Sequence, residues 1–213
     1  MAVVGGLQFT QVSAGQYHTC GVTTNHQALC WGSNRYGQIG DSSTARRRGR
    51  PQPVAGARRF RQIDAGAFHT CAVTTANRAF CWGNGHTGQL GNGKTYLSFW
   101  PRRVAGGLAF ESVSTGLFHT CGQTTTNRPY CWGSSSHGQV GDGSPRFTIQ
   151  LTPAAVTGRL ALDQVSAGSW HSCGKSPAGV AHCWGDNFFG ALGNGGSGFD
   201  AVGLRPSPVA GSI

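Results

Sequence analysis

Four of the eight histidines in this chain are followed two residues later by a cysteine, and ten residues beyond that by a second cysteine next to a tryptophan. The sets are His18/Cys20/Cys30-Trp31, His69/Cys71/Cys81-Trp82, His119/Cys121/Cys131-Trp132 and His171/Cys173/Cys183-Trp184. Three chemistries are open to them. A His-x-Cys pair on a strand points both side chains to one face and could act as a thiol–imidazole nucleophile. A histidine with two cysteines could bind zinc, but structural zinc usually takes four ligands and closely spaced Cys-x2-4-Cys elbows, which are absent. Two cysteines facing each other across a hairpin could close a disulfide, which would remove the nucleophile.

The elements that would hold these residues decide among the three. Cys173 and Cys183 bracket Pro177-Ala178-Gly179, which fits a three-residue hairpin loop with glycine in the left-handed position. The same slot holds His26, Asn77 and Asn127 in the other copies, types that tolerate positive φ. That register sets each pair directly opposite, giving Cys20–Cys30, Cys71–Cys81, Cys121–Cys131 and Cys173–Cys183. Disulfides rank first, packed free thiols second and metal last. Each bridge closes a short loop worth about 2–3 kcal/mol, so reduction is expected to loosen the units without erasing the fold. Disulfides also imply an oxidising compartment. Met1–Gly5 lacks the basic start and apolar core of a signal peptide, so a segment of a longer secreted protein, or an incomplete gene product, is expected.

The four histidines lie 51, 50 and 52 residues apart, a period that points to propeller blades or a solenoid. Phe9, Phe60, Phe110 and Leu162 open the units. Gly37-Gln38-Ile39-Gly40, Gly88-Gln89-Leu90-Gly91, Gly138-Gln139-Val140-Gly141 and Gly190-Ala191-Leu192-Gly193 close them. The 35 glycines punctuate short runs rich in valine, threonine and aromatics, and no helical periodicity is present, so the chain is expected to be all-β. One domain over 1–213 is expected, with repeats at about 3–53, 54–103, 104–155 and 156–208, and with 205–213 starting a fifth unit. No apolar run is long enough to span a membrane.

The phrase Val-Ser-Ala-Gly-x-x-His-Thr-Cys, the hairpin, Cys-Trp-Gly and Gly-Gln-Leu-Gly resemble the repeat of the regulator of chromosome condensation (RCC1) family, and the cysteines resemble its bacterial members. The resemblance implies a β-propeller of four-stranded blades, commonly seven. Four units fall short of that number. An open four-blade arc is the first expectation, a ring closed by the C-terminal strand pairing into the first blade the second, and an eight-blade ring from two chains the third. Bare blade faces at the two ends would favour self-association. Eukaryotic members exchange nucleotide on a small GTPase and bind chromatin; that activity is the alternative reading here.

Catalysis has little support. The seven acidic residues are scattered, Glu111 is the single glutamate, and Asp64 stands where other units have Ser13, Ser114 and Ser166. The glycine-rich 193–198 segment lacks the Gly-Lys-Ser/Thr ending of a phosphate loop. No enzyme, cofactor or metal is expected. Repeated residues serve the scaffold first: the tryptophans by packing between blades, the histidines by hydrogen bonding to neighbouring backbone. The aromatics before them, Tyr17, Phe68, Phe118 and Trp170, pack first and bind at a channel mouth second.

Function is therefore sought in what differs among the units. The elbow after each Cys-Trp-Gly carries Arg35-Tyr36, His86-Thr87, Ser136-His137 or Phe188-Phe189, and the inserts beyond add Tyr96, Phe99, Trp100, Phe147 and Phe199. Tyr36, His86, Trp100, His137, Phe188 and Phe189 are the expected anchors for a protein partner. The formal net charge is +10, and Arg46, Arg47, Arg48 and Arg50 crowd one insert, a candidate patch for nucleic acid or another anionic polymer. The expectation is a non-enzymatic interaction module of a larger secreted or cell-surface bacterial protein.

Overall fold

The computed structural model of the chain describes residue 3, residues 5–198 and residues 201–210. Each repeat forms one four-stranded antiparallel meander. The first sheet is β1 (Phe9–Ala14), β2 (His18–Thr23), β3 (Ala28–Ser33) and β4 (Arg47–Pro53); the second is β5 (Phe60–Ala65), β6 (His69–Thr74), β7 (Ala79–Gly83) and β8 (Ser98–Arg103). The third is β9 (Phe110–Thr115), β10 (His119–Thr124), β11 (Pro129–Ser135) and β12 (Thr148–Ala155); the fourth is β13 (Gln164–Ala167), β14 (His171–Lys175), β15 (Ala181–Asp186) and β16 (Val202–Pro208). Within every sheet the strands pair in chain order, the architecture of a propeller blade.

The central hairpins have the expected register. Cys20 pairs with Cys30, Cys71 with Cys81, Cys121 with Cys131 and Cys173 with Cys183, at Cα separations of 4.0–4.1 Å, and all four disulfides are formed. The turns adopt positive φ at His26, Asn77, Asn127 and Gly179, where a hairpin of this length needs a left-handed residue. The ladder between the third and fourth strands slips at each tryptophan, and the following glycine takes a φ of +103° to +108°. At Gly133 a Cβ would lie 2.6 Å from the Phe118 carbonyl, so only glycine lets the bulge close there.

The core lies between blades, not within them. The disulfide face of one blade receives the tryptophan face of the next: Cys20, Cys30, Ile39 and Val54 pack on Phe60, Ile63 and Trp82. The same contact recurs between the second and third blades around Trp132, and between the third and fourth around Trp184. Three interfaces join four blades, and the arc stays open. Ile63, Val113 and Val165 are buried, while Val12, their counterpart in the first blade, is 56% exposed.

Two expectations change. Val202–Pro208 pairs with β15 and completes the fourth blade, where the sequence suggests that residues 205–213 start a fifth unit and offers closure onto the first blade as the second expectation. The matching Arg50-Pro51-Gln52-Pro53 is likewise an outer strand, β4, so that motif ends a blade instead of opening one. The inserts are not loops throughout either. Arg47, Arg48 and Arg50 belong to β4, and Phe99 and Trp100 to β8. These outer strands pair with the third strand along one edge, and along the other β8, β12 and β16 accept a single backbone N–H from the preceding blade, from Ser42, Gly93 and Gly143, so they tolerate charges and prolines. Val4, Phe199 and Gly211, used in the sequence reading, lie outside the described residues.

Candidate functional site

The repeated histidines do not meet at a centre. The first three each hand a hydrogen bond to the next blade: His18 Nε2 to Thr70 Oγ1 (2.7 Å), His69 to Thr120 (2.8 Å) and His119 to Ser172 (2.8 Å). Those hydroxyls donate back to the Gln38, Gln89 and Gln139 carbonyls, which also accept the indole N–H of Trp82, Trp132 and Trp184. A hydroxyl has one proton to give, so each histidine must be the Nε2–H donor. The expected acceptor was backbone; the actual one is the hydroxyl in the His-Thr/Ser-Cys phrase itself. Among the described residues, no group of three or more His, Cys, Asp or Glu is placed to hold a metal ion.

Burial holds these imidazoles neutral. The pKa falls from the ordinary 6.5 to about 4 at His18 and to about 3 at His69 and His119, through desolvation first and, for the last two, neighbouring histidines second. Nδ1 of all three is buried without a partner, so a second proton would find no acceptor. The unfolded chain takes up protons near pH 6.5 while the folded one does not. Stability is therefore complete above that pH and lost as pH falls from 6.5 through the folded values near 4 and 3. At pH 5 the loss should approach about 2 kcal/mol per histidine. Urea unfolding at pH 7.5 and pH 5 checks this; equal midpoints would contradict it.

The strand register brings the variable residues toward one end of the arc. Ala14 pairs with Thr19 and His18 with Gly32, so the β1–β2 connection and the exit of β3 lie at the same end of the sheet, as do their counterparts in every blade. The connection presents one aromatic per blade. Tyr17, Phe68, Phe118 and Trp170 form a continuous row with centroid spacings of 6.1, 6.1 and 5.3 Å. The carbonyls of these residues accept the N–H that starts each elbow, from Ser33, Asn84, Ser134 and Asp186. The closing glutamine then braces the elbow: Gln38, Gln89 and Gln139 accept from the backbone N–H of Tyr36, Thr87 and His137.

The elbow residue leans on the next blade's aromatic. Tyr36 meets Phe68 edge-on at 5.5 Å and His137 packs on Trp170 at 4.8 Å, while the Thr87 hydroxyl, which donates to Gln89 Oε1 at 2.7 Å, lies 3.2 Å from the Phe118 carbonyl. Phe189 has no following blade. It stands 89% exposed against Phe188, on the one elbow where Ala191 replaces the bracing glutamine. His86 is exposed, with Nδ1 3.3 Å from the Thr95 carbonyl. Trp100 lies apart from this row, on outer strand β8, with the Arg102 guanidinium 4.5 Å over its ring. The expected anchors thus divide between the elbow end, with Tyr36, His86, His137, Phe188 and Phe189, and an outer edge with Trp100.

The arginine cluster is partly committed. Arg48 Nε bonds Asp41 at 2.6 Å, whereas Arg46, Arg47 and Arg50 are exposed. A groove lined by Tyr17, Ser33 and Arg46–Arg48 connects the cluster to the first aromatic of the row. Asp64, which the sequence marks only as a variant, ties three blades: it accepts from the Ser13 hydroxyl and from the backbone and hydroxyl of Thr115. Its carboxylate offers two oxygens where a serine offers one, and only that chemistry hints at the role in sequence.

Two profiles described as the regulator of chromosome condensation (RCC1) repeat match the chain. One covers residues 9–38, 60–89, 110–139 and 163–191, the other residues 25–73, 77–122 and 128–174. Human HERC6, named a probable E3 ubiquitin-protein ligase, is 32% identical over 193 residues, which are 88% of this chain and 19% of that protein. The ultraviolet-B receptor UVR8 of Arabidopsis thaliana is 33% identical over 97 residues, 44% of this chain and 21% of the receptor. Among solved structures, Prp20p of Saccharomyces cerevisiae, studied for its binding to Gsp1p and histones, superposes with a TM-score of 0.85 at 21% identity, covering all of this chain and 52% of Prp20p. Human WBSCR16 gives a TM-score of 0.81 at 21% identity, over 94% of this chain and 51% of its own. The chain therefore spans a small part of its curated relatives and about half of these solved structures.

Proposed function

Because this chain belongs to the RCC1 repeat family, we propose that it is a non-enzymatic protein-recognition module within a larger secreted or cell-surface bacterial protein. The single observation that carries the reading is the aromatic row with its elbow residues, at one end of a scaffold of stacked, disulfide-bridged blades. Side chains fixed on rigid elements lose little entropy on binding, and aromatics supply most hot spots. Four disulfides and no free cysteine among the described residues support the oxidising compartment. An intact mass equal to the fully reduced chain, after purification from such a compartment, would overturn that part. The ligase activity in the name of a relative, and the nucleotide exchange that the family resemblance implies, are set behind this reading, since the chain spans only 19% of that relative and about half of the solved structures.

Tyr36→Ala and Phe188→Ala should each weaken partner capture by about 1–2 kcal/mol or more with the fold intact, and the loss should persist at high salt. Trp100→Ala tests whether the partner also reaches the outer edge. The exposed Arg46, Arg47 and Arg50 favour one second reading, a polyanion site. If replacing Arg46, Arg47 and Arg48 with serine abolishes binding, binding falls steeply with salt, and the aromatic changes are silent, the polyanion reading replaces the first.

A further inference from the structure

The end of the sheets opposite the elbows carries a second surface, and it is cationic. There the turn between the second and third strands of each blade lies beside the link into the next blade: Phe60, Phe110 and Leu162 donate their backbone N–H to the carbonyls of His26, Asn77 and Asn127. Six arginines reach this end. Arg58 and Arg59 precede β5, Arg78 and Arg128 follow the left-handed residues Asn77 and Asn127, Arg103 ends β8 opposite Phe80, and Arg159 takes the left-handed position (φ 51°) of the link before β13. Arg58 is half-buried and the other five are exposed. All six belong to the second and third blades or to the links on either side of them, so the surface is internal to the array. No single repeated position supplies them. Leu108-Ala109 and Leu160-Ala161 stand where the second blade has Arg58-Arg59, and Gln27 stands where Arg78 and Arg128 do. Pro53 and Ala155 correspond to Arg103, and Ala57 and Gly107 to Arg159. The repeat therefore packs without these charges, and what they share is their location.

Acids do not offset this charge. Glu111 and Asp163 lie at the same end but are already bonded, to Arg61 at 3.0 Å and to Lys175 at 2.8 Å. Among the described residues no carboxylate is within ion-pair distance of the six arginines. Two of the six are held in place: Arg59 donates to the Asn25 carbonyl at 3.1 Å, and Arg58 donates to the Ala55 carbonyl with its guanidinium 4.5 Å over the Phe80 ring. Two notches place such arginines beside neutral polar groups. One, of about 310 Å³, is lined by Asn25, Gln27, Pro53, Arg58 and Arg59; the other, of about 520 Å³, by Thr126, Arg128, Arg159 and Leu160.

We propose that this end binds a linear acidic polysaccharide of the polyuronate kind, and so tethers the array to an anionic cell-surface or extracellular polymer while the elbow end stays exposed. Guanidinium forks take carboxylate oxygens two at a time, and the amide and hydroxyl groups beside them suit sugar hydroxyls. Stacked sheets repeat at about 10 Å, so arginines from successive blades meet charges spaced along an extended polymer. A single-stranded nucleic acid fits less well, because no exposed Phe, Tyr or Trp stands among these turns and links for a base to stack on. The oxidising compartment that the disulfides imply also favours an extracellular polymer. The inference is independent of what the aromatic row recognises.

Short polygalacturonate chains, and their methyl ester in which the carboxylates are neutral, are the probes. Titrated at low salt, the full chain should bind the acid and not the ester, and binding should weaken steeply as salt rises. Arg78→Gln with Arg128→Gln should weaken it at least about tenfold with the thermal midpoint unchanged. Arg103→Gln with Arg159→Gln should do the same, so a folding defect in one pair leaves the other to decide. Lys94→Gln with Arg205→Gln removes as much charge away from this end and should leave binding within about twofold. Binding of the acid alone, lost with the two arginine pairs and kept in the third variant, supports the proposal. No binding of polygalacturonate at low salt, or an equal loss in all three double variants, would overturn it. Tighter binding of duplex DNA of matched length would also overturn it, in favour of a nucleic-acid site.

Discussion

Trp132→Ala is expected to cost about 3–5 kcal/mol, while Trp31→Ala, the same substitution at the same repeat position, should cost less than about 2 in the monomer. Trp132 is wholly enclosed between the second and third blades, beside Leu90 and Phe110, and its N–H bonds the Gln89 carbonyl at 2.9 Å. Gly91 makes room for it: a Cβ there would come within 2.6 Å of the indole nitrogen. Alanine would leave a ring-sized cavity and a carbonyl with one donor fewer. Trp31 has blade on only one side. Urea unfolding at concentrations too low for association measures both, and equal costs would mean that the interfaces between blades are not where the stability resides.

Complete reduction should have an effect of similar or greater size. Each bridge taken alone is worth about 2–3 kcal/mol, but four together approach on the order of 10, which matches the whole stability of many domains. The sequence reading expects the fold to survive reduction. The structure shifts that expectation, because six of the eight cysteines are fully buried in the seams, where paired thiols would disturb packing between neighbouring blades. Reduction should therefore be slow in the folded state and should lower the thermal midpoint steeply. Cys173–Cys183, at the bare tail, should be alkylated first. Retention of the oxidised midpoint after all eight thiols are labelled would refute this.

The parts of this fold that were legible in sequence are those a local rule governs. Ten-residue cysteine spacing and a left-handed residue in the Asn77 slot specify a hairpin and hence a bridge, and the fifty-residue period specifies blades. The outer strands were less legible, because β4 and β8 make few demands on side chains and look like inserts. The histidine–hydroxyl–carbonyl relay was hidden for another reason: His69 and Thr120 are neighbours only after two blades stack. The brace from Gln89 to Thr87 and the clamp at Asp64 were equally invisible, since they depend on backbone N–H positions and not on a motif. Among the candidate anchors, Tyr36 and His137 could be placed in elbows from sequence, but their lean onto the following blade could not.

Every covalent cross-link here lies inside a single blade, and every contact between blades is non-covalent. Under a pulling force this chain should therefore behave as a string of knotted beads, with the seams parting first. Each freed blade would pay out only part of its contour. A fully extended unit of about fifty residues spans roughly 170 Å, and the ten-residue loop held by its bridge withholds about 30 Å of that. The redox state of the surroundings would thus set how far the array lengthens between one seam and the next, a mechanical property written in cysteine spacing alone.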